Sequence, residues 1–462
     1  MMLVLLLGSC KALKLTPPPV SYSSSKNFAD TFNAIVLPTY GRYPVGTLIS
    51  GEGSYITTDK PDGNSKTTKY LDFVSGIATN SLGHNNPAVV GAVSKQLKEF
   101  GHVSNLYYTE NQARLGQFLL SNTFKNKKGK VFFCNSGAET NEGVIKLMRK
   151  WGRDRKKLTH PYIITMSNSF HGRTTGALAA TNSNAGKYQD GFTFAGEVNR
   201  GFKTVEYNNV QDLRAMVKKL NKSRSLWDVL RGRRKGLAGI MMETLQGEGG
   251  VLPSTKEFIK EARKLTKETN SLLAFDEVQT GMGRTGTLWN FQHYEGVAPD
   301  VLTSAKALGG GLLPLGAMIM TDECASVFTP GTHASTFGGN GLAVAAGLAV
   351  AKALTSEKEG ENVLANVKAR GKELQKGLDK LREAYPSIIG EVRGAGLILG
   401  VLTKGGVSAM DIVNGAMENG LLLVPAGTNV VRFVPPLNVS KDEMKACLKI
   451  MELVLKELTS KI

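Results

Sequence analysis

The sequence predicts an α/β protein whose core is a mostly parallel sheet with helices on both faces. Short apolar runs alternate with helical patterns between about residues 131 and 320, and this alternation is typical of such a sheet. The chain has 462 residues, more than one hydrophobic core usually serves, so we expect two or three packed lobes. A hydrophobic content of 41% fits a globular enzyme.

Several of the predicted strands end in polar residues. The apolar runs are Val131–Cys134, Tyr162–Met166, Gly239–Met242 and Leu272–Phe275. The polar residues that follow them are Asn135–Ala138, Phe170–Arg173, Glu243 and Asp276. In open α/β sheets ligands collect outside the carboxyl ends of the strands, so we expect these residues to converge on one pocket although they lie far apart in sequence.

The C-terminal part predicts a second, smaller α/β domain. The predicted elements are a helix at Leu342–Leu354, charged helical sequence at Glu357–Ala384, strands at Gly396–Leu402 and Val430–Val434, and a helix at Lys441–Leu458. We therefore expect a large domain at residues 86–340, followed by a spanning helix and small domain at 341–462. Residues 29–85 are expected to pack with the small domain.

Residues 1–28 predict a transit segment. They contain an apolar run at Met1–Leu7, a serine cluster at Ser21–Ser25 and no acidic residue before Asp30, a pattern that resembles an organellar leader. The expected location is the mitochondrial matrix, with a plastid, or the cytoplasm and a disordered tail, as alternatives. Because no segment offers about 20 uninterrupted apolar residues, we expect no membrane span.

Composition argues against several other classes of protein. The formal net charge is +18, but the basic residues are scattered and no nucleic-acid recognition motif accompanies them, so nucleic acid is not an expected partner. The densest basic stretch, Arg214–Lys235, predicts a solvated insertion. The four cysteines and six histidines show no disulfide or metal-ligand spacing, so we expect no metal.

A turn of small residues, Ser136–Thr140, stands between a predicted strand and a predicted helix that runs to about Trp151. Unpaired backbone N–H groups and the helix dipole favour an anion at such a position. The same pattern also suits an ordinary helix cap. By itself the turn therefore allows a phosphate site without requiring one.

Asp276 and Lys306 are the two residues that suggest a reaction. A carboxylate at the end of the apolar run Leu272–Phe275 is costly to bury without a cationic partner, which a protonated pyridine would supply. Lys306 lies in apolar surroundings that would lower its pKa and expose a nucleophilic amine. A Schiff-base lysine together with an acid on the pyridine nitrogen is what a protein contributes to pyridoxal chemistry.

Six motifs in fixed order resemble those of the class III pyridoxal-phosphate-dependent aminotransferases, and the resemblance extends from about Leu37 to Leu458. The motifs are Ser136–Glu139, Phe170–Arg173, Gln246–Gly250, Asp276–Gly281, Lys306 and Thr336–Asn340. The resemblance implies a fold-type I transferase with a seven-stranded large-domain sheet, pyridoxal 5'-phosphate as the cofactor, and a homodimer with shared active sites.

The resemblance also implies roles for individual residues. Lys306 and Asp276 would be catalytic, with Lys306 also the acid and base for proton transfer. Gly137 and Ala138 would bind the phosphate, Phe170 would stack on the ring, Gln279 would bond its phenolic oxygen, and Thr336 would reach the neighbouring subunit's phosphate. The cofactor-binding set is Ser136, Gly137, Ala138, Phe170, Glu243, Asp276, Val278, Gln279, Lys306 and Thr336. The substrate-binding set is Arg173, Glu248, Ser335 and Arg432.

Within this class, Thr39–Val45 and His171 most resemble the acetylornithine aminotransferases of arginine biosynthesis. The implied reaction moves the distal amino group of N2-acetylornithine to 2-oxoglutarate, while Glu248 neutralises Arg432 during the first half. Ornithine or succinylornithine as the amine donor stays an alternative. So do a pyridoxal-phosphate-dependent aminomutase, which would need no 2-oxoglutarate, and a non-catalytic protein that keeps the fold.

Overall fold

A computed structural model describes residues 25–59, 67–124, 128–192, 201–221, 232, 234–358 and 362–461. The predicted transit segment falls almost wholly outside these residues, at positions 1–24. The basic stretch is described in part. Arg214, Lys218 and Lys219 belong to the helix Val210–Leu220 and are exposed to solvent. Positions 222–231 and 233 lie outside the described residues, and the insertion stays a prediction.

The strands are numbered in chain order. They are β1 (Leu48–Glu52), β2 (Tyr55–Thr58), β3 (Thr68–Asp72), β4 (Lys130–Cys134), β5 (His160–Met166), β6 (Phe202–Val205), β7 (Lys235–Glu243), β8 (Leu245–Gln246), β9 (Leu252–Pro253), β10 (Leu272–Asp276), β11 (Val301–Ser304), β12 (Gly316–Met320), β13 (Ile389–Ala395), β14 (Ile398–Thr403), β15 (Leu421–Leu422), β16 (Val424–Ala426) and β17 (Val430–Phe433).

The α-helices span Ser25–Ile35, Pro87–Glu99, Glu110–Thr123, Gly137–Asp154, Thr175–Ala180, Ala185–Gln189, Val210–Leu220, Lys256–Glu268, Asp322–Ala325, Gly341–Leu354, Val363–Ala384, Ala409–Glu418 and Lys441–Thr459. The segment Ser75–Ala78 forms one further helical turn, but its φ values are left-handed. Short 3₁₀ helices span Asn290–His293 and Lys306–Gly309. In the part of the chain that the structure describes, no helix is both long and apolar enough to cross a bilayer.

The chain divides into two compact units. One comprises the residues up to Ser50 together with Thr57–Thr68, and within it Asp59 accepts a hydrogen bond from the Thr47 backbone N–H at 2.6 Å. The other comprises Gly51–Ile56 and Lys69–Ile462 and holds all the features described below. The predicted domain limits at residues 86 and 340 stay predictions.

A mostly parallel sheet forms the core of the larger unit, as the sequence predicts. Seven of the described strands join it in the order β4-β12-β11-β10-β7-β5-β6. Strand β12 runs antiparallel to β11 and β4, whereas the remaining neighbours are parallel. Along β10, Asp276 lies opposite Glu243 on one side and Thr303 on the other. The register therefore brings polar residues to one carboxyl edge.

Burial explains why these segments become strands and helices. Every residue of β10 is buried, which is typical of a parallel strand covered on both faces. Helix Gly137–Asp154 buries Val144, Leu147, Met148 and Trp151, a helical spacing, and packs this face against the sheet. It begins where predicted and ends three residues after the predicted Trp151.

A smaller antiparallel sheet follows, in the order β13-β14-β17-β16. The sequence predicts one strand at Gly396–Leu402, but the structure has a hairpin of β13 and β14 that turns at Gly396, where φ is +54°. Glycine adopts this conformation readily. Strand β17 carries Arg432 at the centre of this sheet's register, opposite Gly400 on β14 and Val424 on β16.

Candidate active site

Asp276 ends β10 and is almost fully buried. Its Oδ2 accepts hydrogen bonds from His171 Nδ1 and from Asn141 Nδ2, both at 2.7 Å. Its Oδ1 accepts from the Val278 backbone N–H at 3.1 Å and from the Thr303 hydroxyl at 3.4 Å. These four donors hold the carboxylate in one orientation.

Glu243 ends β7 beside Asp276 and is a second buried carboxyl group. Burial raises its pKa to about 7, while the nearby His171 opposes this rise. It accepts hydrogen bonds from the backbone N–H groups of Phe170 at 3.0 Å and Gly247 at 3.3 Å. Glu243 therefore anchors the Phe170 segment and the Gly247 turn to the same edge of the sheet.

Lys306 follows β11 and begins a 3₁₀ helix with a left-handed backbone φ of +46°. Burial lowers the pKa of its amine to about 8, and the positive charge of Arg432 lowers it further, against the effect of Glu248 and Asp276. A non-glycine residue at this φ is uncommon and often marks a functional position. The structure thus places a desolvated amine near the carboxyl edge.

Arg432 is 1% exposed, although its side chain is charged. Its guanidinium donates to Gln279 Oε1 at 3.0 Å, to Glu248 Oε2 at 3.1 Å and to the Pro425 carbonyl at 3.4 Å. Glu248 is partly exposed, with 31% of its side chain accessible. A buried cation is therefore paired with a carboxylate that lies partly in solvent.

The turn before helix Gly137–Asp154 has the form expected of an anion site. Ser136 caps the helix, and its hydroxyl accepts from the Glu139 N–H at 3.2 Å. The N–H groups of Gly137 and Ala138 have no acceptor among the described residues. A Cβ on Gly137 would lie 2.7 Å from a methyl group of Val278, so this close approach requires glycine.

Phe170 and Arg173 lie on the segment that follows β5. Phe170 is partly buried, and the Arg173 guanidinium lies 5.5 Å from the centre of its ring. Arg173 is exposed and stacks on Tyr188 at 3.5 Å from that ring's centre. Among the described residues no carboxylate forms an ion pair with Arg173, whose contacts are with these two rings.

Ser335 and Thr336 lie in the loop before helix Gly341–Leu354, and Ser335 contacts Asn135 at the end of β4. The Ser335 hydroxyl accepts from Asn135 Nδ2 at 3.2 Å and from the Gly338 N–H at 3.0 Å. Thr336 is exposed. The single chain therefore does not join these two residues to the polar network of Asp276.

Three further residues support the site, and the sequence analysis assigned none of them a role of its own. Asn141 and His171 bind Asp276 directly. The fully buried Glu277 accepts from Thr244, Thr280 and two backbone N–H groups, and burial raises its pKa. Asn141 lies one helical turn beyond Gly137, the only sequence signal that could have indicated it.

The arrangement suits a flat, anionic, nitrogen-containing ring. The unpaired N–H groups of Gly137 and Ala138 would hold a phosphate, the Phe170 face would stack on the ring, Asp276 would meet a protonated ring nitrogen, and Lys306 would offer its amine. The buried Asn141 Oδ1 and His171 Nε2 have no partner in the described chain. No group of three metal-ligating side chains occurs among the described residues.

Comparison with known proteins agrees with this geometry. The family described as aminotransferase class-III matches residues 45–455. The chain is 46% identical over 448 residues to acetylornithine aminotransferase of Thermosynechococcus vestitus, covering 96% of this chain and 100% of that protein. It is 44% identical to the acetylornithine aminotransferase of Caldanaerobacter subterraneus, covering 92% of this chain and 98% of that one.

Solved structures show the same fold. Ornithine aminotransferase from Toxoplasma gondii superposes with a TM-score of 0.83 at 27% identity, over 96% of this chain and 97% of that one. Acetylornithine aminotransferase from Elizabethkingia anophelis superposes with a TM-score of 0.76 at 30% identity, over 94% and 100%. One of these two proteins is named for ornithine and the other for acetylornithine. Structural similarity alone therefore does not choose between the two amine donors.

Proposed function

The chain belongs to the class III aminotransferases, a pyridoxal-phosphate-dependent family, and from this premise we propose that it transfers the distal amino group of N2-acetylornithine to 2-oxoglutarate. The products are N-acetylglutamate 5-semialdehyde and glutamate. The buried Arg432 paired with the partly exposed Glu248 is the observation that carries the proposal. The relatives named above support the choice of donor, because both curated proteins are acetylornithine aminotransferases.

The cofactor supplies the electron sink when it is bound. Gly137 and Ala138 would hold its phosphate through their first-turn N–H groups, and Ser136 shapes that turn by capping the helix. Phe170 and Val278 would pack on the ring, and Glu243 anchors Phe170. Asp276 would hold the proton on the ring nitrogen, since a charged carboxylate favours the protonated form.

Lys306 would bind the cofactor and then act as acid and base. Its lowered pKa, about 8, leaves a useful fraction of neutral amine near neutral pH, and a group with such a pKa both accepts and returns a proton readily. The amine would take up the proton that leaves the substrate carbon bearing the amino group and would later return a proton. Replacement by alanine should therefore abolish turnover.

Arg173, Glu248 and Arg432 would let one pocket accept two different substrates. While Glu248 neutralises Arg432, Arg173 alone offers an open guanidinium to a carboxylate, and N-acetylornithine would bind there and present its distal amine. When 2-oxoglutarate arrives, Glu248 would swing outward, which its partial exposure permits. Arg432 and Arg173 would then hold the two carboxylates.

Gln279 would contact both the cofactor and the substrate-binding Arg432. Its Oε1 accepts from Arg432 at 3.0 Å, which leaves the amide nitrogen to donate to the phenolic oxygen of the cofactor. This arrangement would link the position of Arg432 to the cofactor. Gln279 would therefore contact both the cofactor and Arg432, whereas the sequence analysis predicts a contact with the cofactor alone.

A homodimer would complete the site. Four large apolar side chains around the Ser335 loop are exposed: Leu106 by 88%, Tyr107 by 67%, Tyr108 by 107% and Phe337 by 58%. Asn105 donates to the carbonyls of Ser335 and Gly338, which joins the two segments into one surface. An exposed apolar surface of this kind favours association. A second copy would bring Thr336 to the neighbouring phosphate and Ser335 to the neighbouring substrate.

Two predictions remain open beside this proposal. Ornithine and succinylornithine are the rival donors, because no described residue marks an acyl-specific contact. The mitochondrial leader, with a plastid or the cytoplasm as alternatives, depends on residues outside the described chain, and the curated relatives named above are bacterial and lend it no support. Import of a fusion carrying residues 1–28 would test the leader directly.

Steady-state kinetics would test the donor. Purified holoenzyme is supplied with saturating 2-oxoglutarate, and glutamate formation is measured with N-acetylornithine, ornithine and succinylornithine in turn. The proposal predicts the highest kcat/KM for N-acetylornithine. A higher value for ornithine or succinylornithine would overturn the donor, and the Lys306→Ala variant provides the matched background rate.

A further inference from the structure

Four consecutive residues, Ser75–Ala78, have left-handed backbone conformations with φ of 49°, 62°, 59° and 65°. Only Gly76 adopts this region without steric cost. For the other three residues the left-handed conformation is sterically unfavourable, so it persists only where surrounding contacts fix it. The turn, here called the left-handed turn, is therefore a strained element.

Asp72 and His84 hold the left-handed turn in place. Asp72 Oδ1 accepts from the backbone N–H groups of Val74 and Ser75, both at 2.9 Å, and its Oδ2 lies 2.8 Å from His84 Nε2. His84 is itself fixed, because its backbone exchanges hydrogen bonds with Gly53 at 2.8 and 3.0 Å. The buried carboxylate thus ties the first turn residue to a rigid neighbour.

The segment after the turn reaches the loop that carries Lys306. The Ser81 hydroxyl donates to the Ala307 carbonyl at 3.0 Å, and both residues are buried. A second hydrogen bond fixes the backbone of Ser81, because its carbonyl accepts from the Leu437 N–H at 2.7 Å. Asn80 packs closely on Gly311. A Cβ added to Gly311 would lie 1.9 Å from the Oδ1 of Asn80.

Ala307 is the residue directly after Lys306, whose own φ is +46°. The Ala307 carbonyl accepts from both the Ser81 hydroxyl and the Gly310 N–H, the latter at 3.1 Å. It therefore lies between the strained lysine and the glycine turn that follows. A contact at this carbonyl can restrain the direction in which the lysine backbone points.

We propose that Asp72, His84 and Ser81 are positioning residues, which use the left-handed turn to fix the backbone of Lys306. The inference rests on the proposed role of Lys306, but it concerns the geometry of the lysine rather than the identity of the substrate. None of the three touches the reacting atoms. They act through the Ala307 carbonyl and the turn that presents Ser81 to it.

Hydrogen exchange in the apoenzyme would test the proposal without use of the reaction. In Ser81→Ala the loss of one buried hydrogen bond, worth about 1–1.5 kcal/mol, should speed exchange of the Leu308 and Gly310 amides about tenfold. In the holoenzyme, kcat should fall by about the same factor, with KM for the amine donor changed less than about twofold. The visible absorbance of the lysine-bound cofactor should titrate at a shifted pH.

Ser271→Ala is the matched control. Ser271 is also a buried serine whose hydroxyl donates to a backbone carbonyl, that of Leu237 at 2.8 Å, but it lies before β10, at the opposite end from Asp276. This variant should lower the melting temperature at least as much as Ser81→Ala and leave exchange at Leu308 and Gly310 unchanged. Equal exchange in both variants would overturn the proposal.

His84→Leu tests the contribution of the Asp72–His84 contact. It removes the donor to Asp72 and puts an apolar side chain of similar bulk in its place. The left-handed turn should therefore loosen, and hydrogen exchange at the Leu308 amide should rise severalfold. Acceleration in Ser81→Ala but not in His84→Leu would remove Asp72 and His84 from the proposal. Absence of activity with every amine donor in the wild-type holoenzyme would refute the proposed function instead. The hydrogen-exchange result would still be valid in that case.

Discussion

His171 Nδ1 lies 2.7 Å from Asp276 Oδ2, and both side chains are almost completely buried. The carboxylate that would face the ring nitrogen is therefore backed by an imidazole in the interior. Asn141 binds the same oxygen and also the His171 carbonyl, at 2.7 Å in each case. Asp276 consequently has little freedom to turn away from the site.

Replacement of His171 by asparagine should weaken this support without removing the carboxylate. A hydrogen bond to a charged group contributes about 1.5–3 kcal/mol, so we expect kcat to fall by at least about tenfold. Asp276→Asn should lower kcat further, because the charge itself is lost. Steady-state assays of both variants test the order, and an unchanged kcat in His171→Asn would contradict the account.

The pKa of Lys306 predicts how its reactivity depends on pH. The value is lowered to about 8, so the amine should be mostly protonated below that pH and mostly neutral and nucleophilic above it. Competitive acetylation of the apoenzyme, followed by peptide mass spectrometry, should give a midpoint near pH 8. Because Arg432 lowers this pKa, Arg432→Met should move the midpoint upward. A downward shift would contradict the electrostatic explanation.

Glu248 should control the choice between substrates with one and two free carboxylates. In Glu248→Gln the Arg432 charge is no longer neutralised, so the pocket should accept glutamate and 2-oxoglutarate more readily. We expect the ratio of kcat/KM for glutamate over N-acetylornithine to rise by about tenfold, equivalent to about 1.4 kcal/mol. Arg432→Lys should change the ratio in the opposite direction, since lysine loses the fork of donors.

The exposed apolar surface around Phe337 should hold the dimer together. An aspartate at Phe337 would bury a charge in the interface, so Phe337→Asp should shift the protein toward a monomer and weaken retention of the cofactor. Light scattering after size-exclusion chromatography measures the mass. Leu453→Asp is the control, because Leu453 is also exposed, by 44%, but lies on helix Lys441–Thr459. Dissociation of both variants would point to general destabilisation.

The larger features of the fold could be predicted because their signals are local. Apolar runs such as Leu272–Phe275 and the polar residue that ends each run indicate a buried strand and its carboxyl end. Strand β13 and the hairpin at Gly396 were missed, because Glu391 and Arg393 interrupt the apolar pattern of β13. The bounds of helix Val363–Ala384 depend on tertiary packing and on the Asn362 cap.

The site was predictable where a motif names the residue, and less so where only packing joins residues. Asp276, Lys306 and Arg432 follow from chemistry or resemblance. The Asn141 and His171 contacts with Asp276, and the Ser81 contact with Ala307, join residues that are far apart in sequence. Such long-range hydrogen bonds depend on how the strands and helices pack, which no local pattern states.

Transfer of a labelled nitrogen would test whether the protein moves the distal amino group of N2-acetylornithine to 2-oxoglutarate. N2-acetylornithine labelled with nitrogen-15 at its distal amino group is incubated with the holoenzyme and 2-oxoglutarate, and the products are analysed by mass spectrometry. We expect the label to appear in glutamate in step with the formation of the semialdehyde, and Lys306→Ala to transfer none. Label that stays on the ornithine skeleton, with or without 2-oxoglutarate, would contradict an aminotransferase acting on this donor.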